Sequence, residues 1–426
     1  TEDALDPILA YCLLQKNIAE LASCQDVSGN LAQRIMNQRN LLHGFSQSAA
    51  LLKTKELTQT RIQRALLHII LGIHHTPERI PYARVLGFRK ESSPLLKEIK
   101  KNSRHKSFTH KSSSPVKNSL NKVIIKGSLL LPPSAVKRLY IPGKYDIEVA
   151  ACEGFSTKTI AGSQNKNSIK IAYVHTDFVN NPWSISVYKN EEEEEKSCYQ
   201  KFDKIGCVSE TIRESFIKKY GLAEKTCVIH NITDNERIKK LGEEPADFTP
   251  KHRPLFVLVG NYLPVKGYDR LMMACARLKN DGYKFSVLIM GKAYQKEPTQ
   301  KLCDELDLND MFTLADFRTN PYKYMNSADA YICSSLAEGY STAVTEAIIS
   351  GLPVITTECS GMREIFGNLE CGIICENSED GLYFALKKVL DKPEFLQKYR
   401  QNAAKRAEFF SLENSVKTIN DFYKSL

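Results

Sequence analysis

Residues 336–357 read LAEGYSTAVTEAIISGLPVITT, and the order of features in this stretch decides the fold class. A strand pattern ends at an acidic turn, Glu338-Gly339, and a short apolar helix follows; Gly351-Leu352-Pro353 breaks the helix before a β-branched strand. This is a βαβ step of a parallel sheet, because so short an apolar helix must lie on a sheet face between buried strands. Glu338 then falls at the carboxyl end of a strand, where open α/β sheets bind ligands. Ser341, Thr342 and Ala343 open the helix, so their amides and the positive end of the helix dipole suit a diphosphate. Glu346, one to two turns further on, is placed to accept hydroxyl hydrogens from a sugar or ribose. From spacing alone, the same two acids also read as a solvated loop acid and an ordinary helix acid.

The pattern E-G-x6-E followed by GLPVITTECSGMREIF resembles the E-x7-E signature of retaining GT-B glycosyltransferases of glycosyltransferase family 4. GNYLPVKGYDRL and NPYKYMNSADAYICSS lie upstream in the same order as in that family, so the resemblance covers roughly residues 116–426. It implies an α/β chain of GT-B type with two Rossmann-like domains and a nucleotide-diphosphate sugar as co-substrate, with no cofactor and no metal. Glu338 is implied to orient the donor sugar and Glu346 to take the ribose hydroxyls. Gly260, Asn261, Lys266, Gly339, Tyr340, Ser341, Thr342 and Ala343 are implied to complete the donor site. The family usually has Arg where this chain has Asn261, which brings no charge, so Lys266 is left to supply the electrostatics. Asp316 replaces a glycine common in the family beside the expected base. His175, ending the strand IAYVH, matches the histidine that the family places beside the donor sugar; taken alone, a strand-end histidine reads as structural.

At 426 residues the chain has room for two or three domains. Its formal charge of +10 favours phosphate-bearing partners or an anionic membrane surface, and only weakly over such a length. The 12 cysteines are scattered without zinc spacing around CGIIC, the pattern of small buried residues in a reducing cytosol. ALLHIILGI is too short to span a membrane and contains His68. No secretory signal is visible, and the opening on Thr1 rather than Met reads as the mark of a fragment.

Residues 1–114 read as an all-helical block. TRIQRALLHIILGI, YARVLGF and LLKEIKK resemble the carboxyl-terminal helical region of tRNA(Met) cytidine acetate ligase. That resemblance makes Arg61, Arg64 and Arg84 weak candidates to face tRNA, without the ligase's ATP-handling domain. Residues 101–122, rich in Ser and Lys, read as a linker. Two unrelated resemblances flank it, which implies a join of two gene pieces, by natural fusion or by an error of assembly or gene calling. Residues 115–240 read as a first Rossmann-like domain lacking its opening strands and Gly-rich loop, and 241–426 as the nucleotide-sugar-binding domain.

Within the first domain Ser209 is expected to cap ETIRESFIKKYG, and NEEEEEK (190–196) to be a solvated helix face or loop. The last helix is expected to pack back across the cleft, as in GT-B folds. The reading is a retaining glycosyltransferase acting on a glycan or lipid-linked acceptor, cytoplasmic, with the inner membrane face as a working surface. The alternatives are a tRNA-binding remnant and a catalytically inert chimera.

Overall fold

The computed structural model describes residues 85–88, 131–141, 143–424 and 426. The chain divides into two compact units, 1–72 and 73–426, and all the described residues lie in the second.

The first sheet is built from β1 (Val85–Phe88), β2 (Ile147–Ala150), β3 (Ile169–Val174), β4 (Lys204–Cys207) and β5 (Thr226–Val228), in the order β1-β2-β3-β4-β5. Strands β2 to β5 run parallel, and β1 pairs antiparallel with β2, Val85 opposite Ala150 and Phe88 opposite Ile147. The helices α1 (Pro133–Tyr140), α2 (Phe155–Ala161), α3 (Glu191–Tyr199) and α4 (Glu210–Tyr220) accompany these strands. Ser209 caps α4 as expected, its side chain accepting from the Ile212 amide.

Two expectations are corrected here. The amino-terminal block is not helical throughout, since Val85–Phe88 is a strand. The backbone groups along the edge of β2 need partners, and an extended segment supplies them. The run NEEEEEK is not a merely solvated face either. It forms the first turns of α3, and Cys198 and Tyr199 at the helix end are buried, which turns Glu195 inward at helical spacing. Glu195 is fully buried and accepts from Ser184 Oγ and Tyr220 Oη, each at 2.6 Å. Burial raises its pKa, and those two hydrogen bonds offset part of the rise. Glu194 pairs at 3.2 Å with the buried Lys158 of α2.

A crossover through α5 (Asn235–Gly242) leads to the second sheet. It alternates β6 (Leu255–Val259), α6 (Tyr268–Asn280), β7 (Ser286–Met290), α7 (Lys296–Glu305), β8 (Phe312–Ala315) and α8 (Tyr322–Ser327). Then come β9 (Ala330–Cys333), α9 (Thr342–Ile349), β10 (Val354–Thr357), α10 (Met362–Phe366) and β11 (Gly372–Cys375). All its strands are parallel, in the order β11-β10-β9-β6-β7-β8. β6 and β9 are neighbours with connections leaving in opposite directions, so a crevice opens beyond their carboxyl ends.

The chain closes with α11 (Glu379–Asp391), α12 (Glu394–Ala407) and α13 (Leu412–Lys424). The last helix returns to the first sheet, where Tyr423 Oη lies 3.0 Å from Tyr173 Oη of β3, both buried. One apolar cluster runs from Val174 and Val208 of the first sheet to Tyr340 and Val344 of the second.

Candidate active site

One side of the cleft grows from the carboxyl ends of β6 and β9. After β6 the Gly260 amide donates to Met290 at 2.9 Å, and its carbonyl accepts from Tyr268 Oη at 2.9 Å. Asn261 turns its Oδ1 toward the Lys292 amide at 3.3 Å. A single 3-10 turn, Pro264–Lys266, ends at Gly267 in the left-handed region, φ +59°. A Cβ there would lie 2.3 Å from the Ser334 carbonyl oxygen, so the turn can seat against the β9 loop only with glycine.

That seating carries Lys266 to Glu338: Nζ lies 2.6 Å from Oε1, and Ser335 Oγ donates to the same oxygen at 2.6 Å. Arg270 fixes the loop from α6, its Nη2 donating to the Ser334 and Ser335 carbonyls at 2.7 Å each. Burial works against the Lys266 charge, but the Glu338 carboxylate outweighs it and the ammonium pKa rises above its ordinary value. Lys266, Tyr268, Ser335, Glu338 and Ser341 line one small cavity.

Ser341 takes the N-cap position of α9, and its side chain makes no capping hydrogen bond to the amides at that helix start. Thr342 and Ala343 are half-buried, while Tyr340 is buried and its carbonyl accepts from Asn231 Nδ2 at 3.0 Å. Glu346 does not line the cavity; half-buried, it accepts from Tyr322 Oη at 3.0 Å. Burial pushes its carboxyl up to about 7, against the Tyr322 hydrogen bond and the Arg237 charge.

The facing side comes from the first sheet. His175 follows β3, and its Nε2 lies 3.0 Å from the Ala151 carbonyl, which places the ring proton on Nε2. The buried Glu153 accepts from the His175 and Thr176 amides and fixes this turn. Gly339 touches it: a Cβ on Gly339 would lie 1.9 Å from the His175 carbonyl oxygen. Ser209 Oγ donates to the Gly339 carbonyl at 3.0 Å.

Two further carboxylates join the sheets across the cleft. Asp177 accepts from Ser215 and, at 2.8 Å, from Ser360 on the opposite side. Glu364 of α10 accepts from the Glu210 and Thr211 amides at 2.9 and 3.2 Å, with His230 Nε2 at 3.3 Å. Burial alone would raise both carboxyl pKa values, and these hydrogen bonds outweigh it and lower them.

The candidates Lys266, Glu338 and Ser341 thus line one cavity, Gly339 beside Glu338 meets the His175 backbone carbonyl, and Glu346 stays outside that lining. Glu153, Asp177, Arg270 and Glu364 were not foreseen. One signal for the first was present: Glu153-Gly154-Phe155-Ser156-Thr157 repeats the pattern of Glu338-Gly339-Tyr340-Ser341-Thr342 at a strand end. Arg61, Arg64 and Arg84 lie outside the described residues. Among the described residues there is no cluster of His, Cys, Asp and Glu suited to a metal, and no helix long and apolar enough to cross a membrane.

This cleft, between a doubly wound sheet and a second Rossmann-like sheet tied by the last helix, is the GT-B arrangement. Residues 242–406 match the family described as glycosyl transferases group 1. The matched stretch begins at Gly242, the last residue of the crossover helix, and includes Lys266, Glu338 and Glu346.

Residues 1–131 match a second family, described as HIGH nucleotidyl transferase. The chain is 31% identical over 232 residues to an N-acetylgalactosamine-N,N'-diacetylbacillosaminyl-diphospho-undecaprenol 4-alpha-N-acetylgalactosaminyltransferase from Campylobacter jejuni, covering 54% of this chain and 61% of that one. It is 33% identical over 102 residues to tRNA(Met) cytidine acetate ligase from Staphylococcus saprophyticus, covering 24% of this chain and 27% of the ligase. The chain therefore spans less than two thirds of either relative and joins pieces similar to two unrelated proteins. Among solved structures, Anabaena HepE in complex with UDP and glucose superposes with a TM-score of 0.57 at 17% identity, covering 69% of this chain and 81% of that chain, which speaks to the fold.

Proposed function

We propose that residues from about 116 to 426 form a retaining glycosyltransferase that moves a sugar from a nucleotide-diphosphate sugar to a glycan or lipid-linked saccharide. The observation that carries this reading is the Lys266–Glu338 pair at 2.6 Å beside the uncapped start of α9. A leaving diphosphate there meets helix amides and an ammonium, which stabilise the charge that develops as the glycosidic C–O bond breaks. The acceptor oxygen forms the new bond to the same carbon from the same face, and its proton passes to the departing phosphate oxygen. Glu338 orients the sugar hydroxyls, His175 approaches from the other sheet, and Glu346 serves the ribose. No resident metal or cofactor is part of this scheme.

The Campylobacter relative's name states an acceptor linked to diphospho-undecaprenol. That supports a lipid-linked acceptor used at the inner membrane face. The test is a melting-temperature shift with UDP and with GDP, repeated in Glu346→Ala. A shift with one nucleotide that shrinks in the variant is expected; no shift with either, or an unchanged shift, refutes the donor site.

A second reading concerns residues 1–131 alone. The chain's similarity to tRNA(Met) cytidine acetate ligase favours retained tRNA binding through Arg61, Arg64 and Arg84. Filter retention of tRNA should then fall steeply with salt, and salt-insensitive retention or none removes this reading.

A further inference from the structure

Trp183 is the only tryptophan of the chain, and 46% of it is exposed. Its turn is nonetheless held firmly. Ser184, next in sequence, is buried and bonded to the buried Glu195, and Val187 at the far end of the same turn is buried as well. Indole Nε1 donates to Thr176 Oγ1 at 2.9 Å. At the other end of the ring, a Cβ on Gly154 would lie 3.5 Å from Cη2 and 3.6 Å from Cζ3. Thr176 follows His175, whose carbonyl touches Gly339 next to Glu338. A short, stiff chain of contacts therefore runs from the exposed indole to the reacting cleft.

We propose that Trp183 is the platform on which a pyranose ring of the acceptor stacks. This rests on the glycosyltransferase reading and adds the acceptor subsite to it. A sugar presents an apolar face of C–H groups and a polar rim, and an immobilised indole with an open surface matches that face at small entropic cost. The exposed Val179 nearby would also suit insertion into lipid. An indole seated at a membrane surface, however, uses its N–H at the headgroup level, and here Thr176 has taken it.

Because Trp183 is the chain's sole tryptophan, its fluorescence reports on this site alone. The full chain, with UDP present, is titrated with the methyl α-glycosides of glucose, galactose, N-acetylglucosamine and N-acetylgalactosamine, and separately with phosphatidylglycerol vesicles. A saturable change in emission is expected with at least one glycoside. In saturation-transfer NMR the protons of one sugar face should receive the most saturation. Trp183→Phe should keep that signal, and Trp183→Ala should weaken apparent affinity roughly three- to ten-fold. The UDP melting shift should be the same in both variants. An unmoved emission with every glycoside while UDP still shifts the melting curve overturns the proposal, as does a response to vesicles alone. A glycoside response without any UDP shift would instead remove the donor reading and leave Trp183 as a sugar site.

Discussion

Lys266 and Glu338, 72 residues apart in sequence, meet at 2.6 Å because Gly267 lets one loop seat on the other. The pair is mostly shielded, with side-chain exposures of 26% and 13%. An ammonium has three N–H donors, and Glu338 needs only one of them. The same lysine can therefore hold the acid and face an incoming diphosphate.

Replacing Lys266 by Met should weaken UDP binding by about 1.5–3 kcal/mol, the usual range for a hydrogen bond to a charged group. It should also lower stability, since the mostly shielded Glu338 is left without its counter-charge. Calorimetric titration with UDP and a thermal melt check the two effects separately. Equal UDP affinity in the variant would place the phosphates elsewhere.

Glu346 predicts a pH effect with a definite sign. Burial pushes its carboxyl up to about 7, so over the interval above the ordinary glutamate value the folded chain holds a proton that the unfolded chain has released. Stability then falls as pH rises across that interval, by on the order of 1 kcal/mol per unit at most. Glu346→Gln should flatten this slope. UDP affinity should move oppositely, rising toward pH 8 as the acceptor-only carboxylate forms, and Gln should lose that rise. Melting curves and titrations at several pH values read both.

Glu364 fixes the amino end of α4 and faces His230 across the cleft. Its lowered pKa means its stabilisation is in place above the ordinary glutamate range and fades as pH falls through the folded value. Glu364→Ala should cost about 1–2 kcal/mol at neutral pH and widen the molecule in small-angle scattering. An unchanged radius of gyration would show that the sheets are held without it.

Gly339→Ala should be among the most damaging small changes. Its Cβ would sit 1.9 Å from the His175 carbonyl oxygen, so the two sheets must part there. A cost of about 1–3 kcal/mol is expected, with loss of transfer beyond what the unfolded fraction explains. Wild-type UDP-sugar turnover in the variant would contradict the account of the cleft.

Much of the second domain was legible because its determinants are local. LFVLV and the β-branched run VITT each declare a buried strand, and Glu338 and Glu346 lie eight positions apart in one continuous motif. Ser209 likewise declared the helix that starts at the next residue, its oxygen taking the amide three positions on. What stayed hidden depends on partners far along the chain. Asp177 finds Ser360 183 residues away, and Glu364 reaches back 154 residues to the Glu210 amide. Five glutamates in a row look solvated until Ser184 and Tyr220 are seen to receive Glu195. Val85–Phe88 gave no strand signal of its own; it is the edge of β2 that makes it one.

The most direct test of the donor site is a crystal structure of the chain with UDP. The diphosphate oxygens should lie about 2.7–3.2 Å from the amides of Ser341, Thr342 and Ala343, with Lys266 Nζ on a phosphate and Glu346 at the ribose. An ordered UDP bound away from the start of α9, or one there with Lys266 and Glu346 turned from it, would contradict the account.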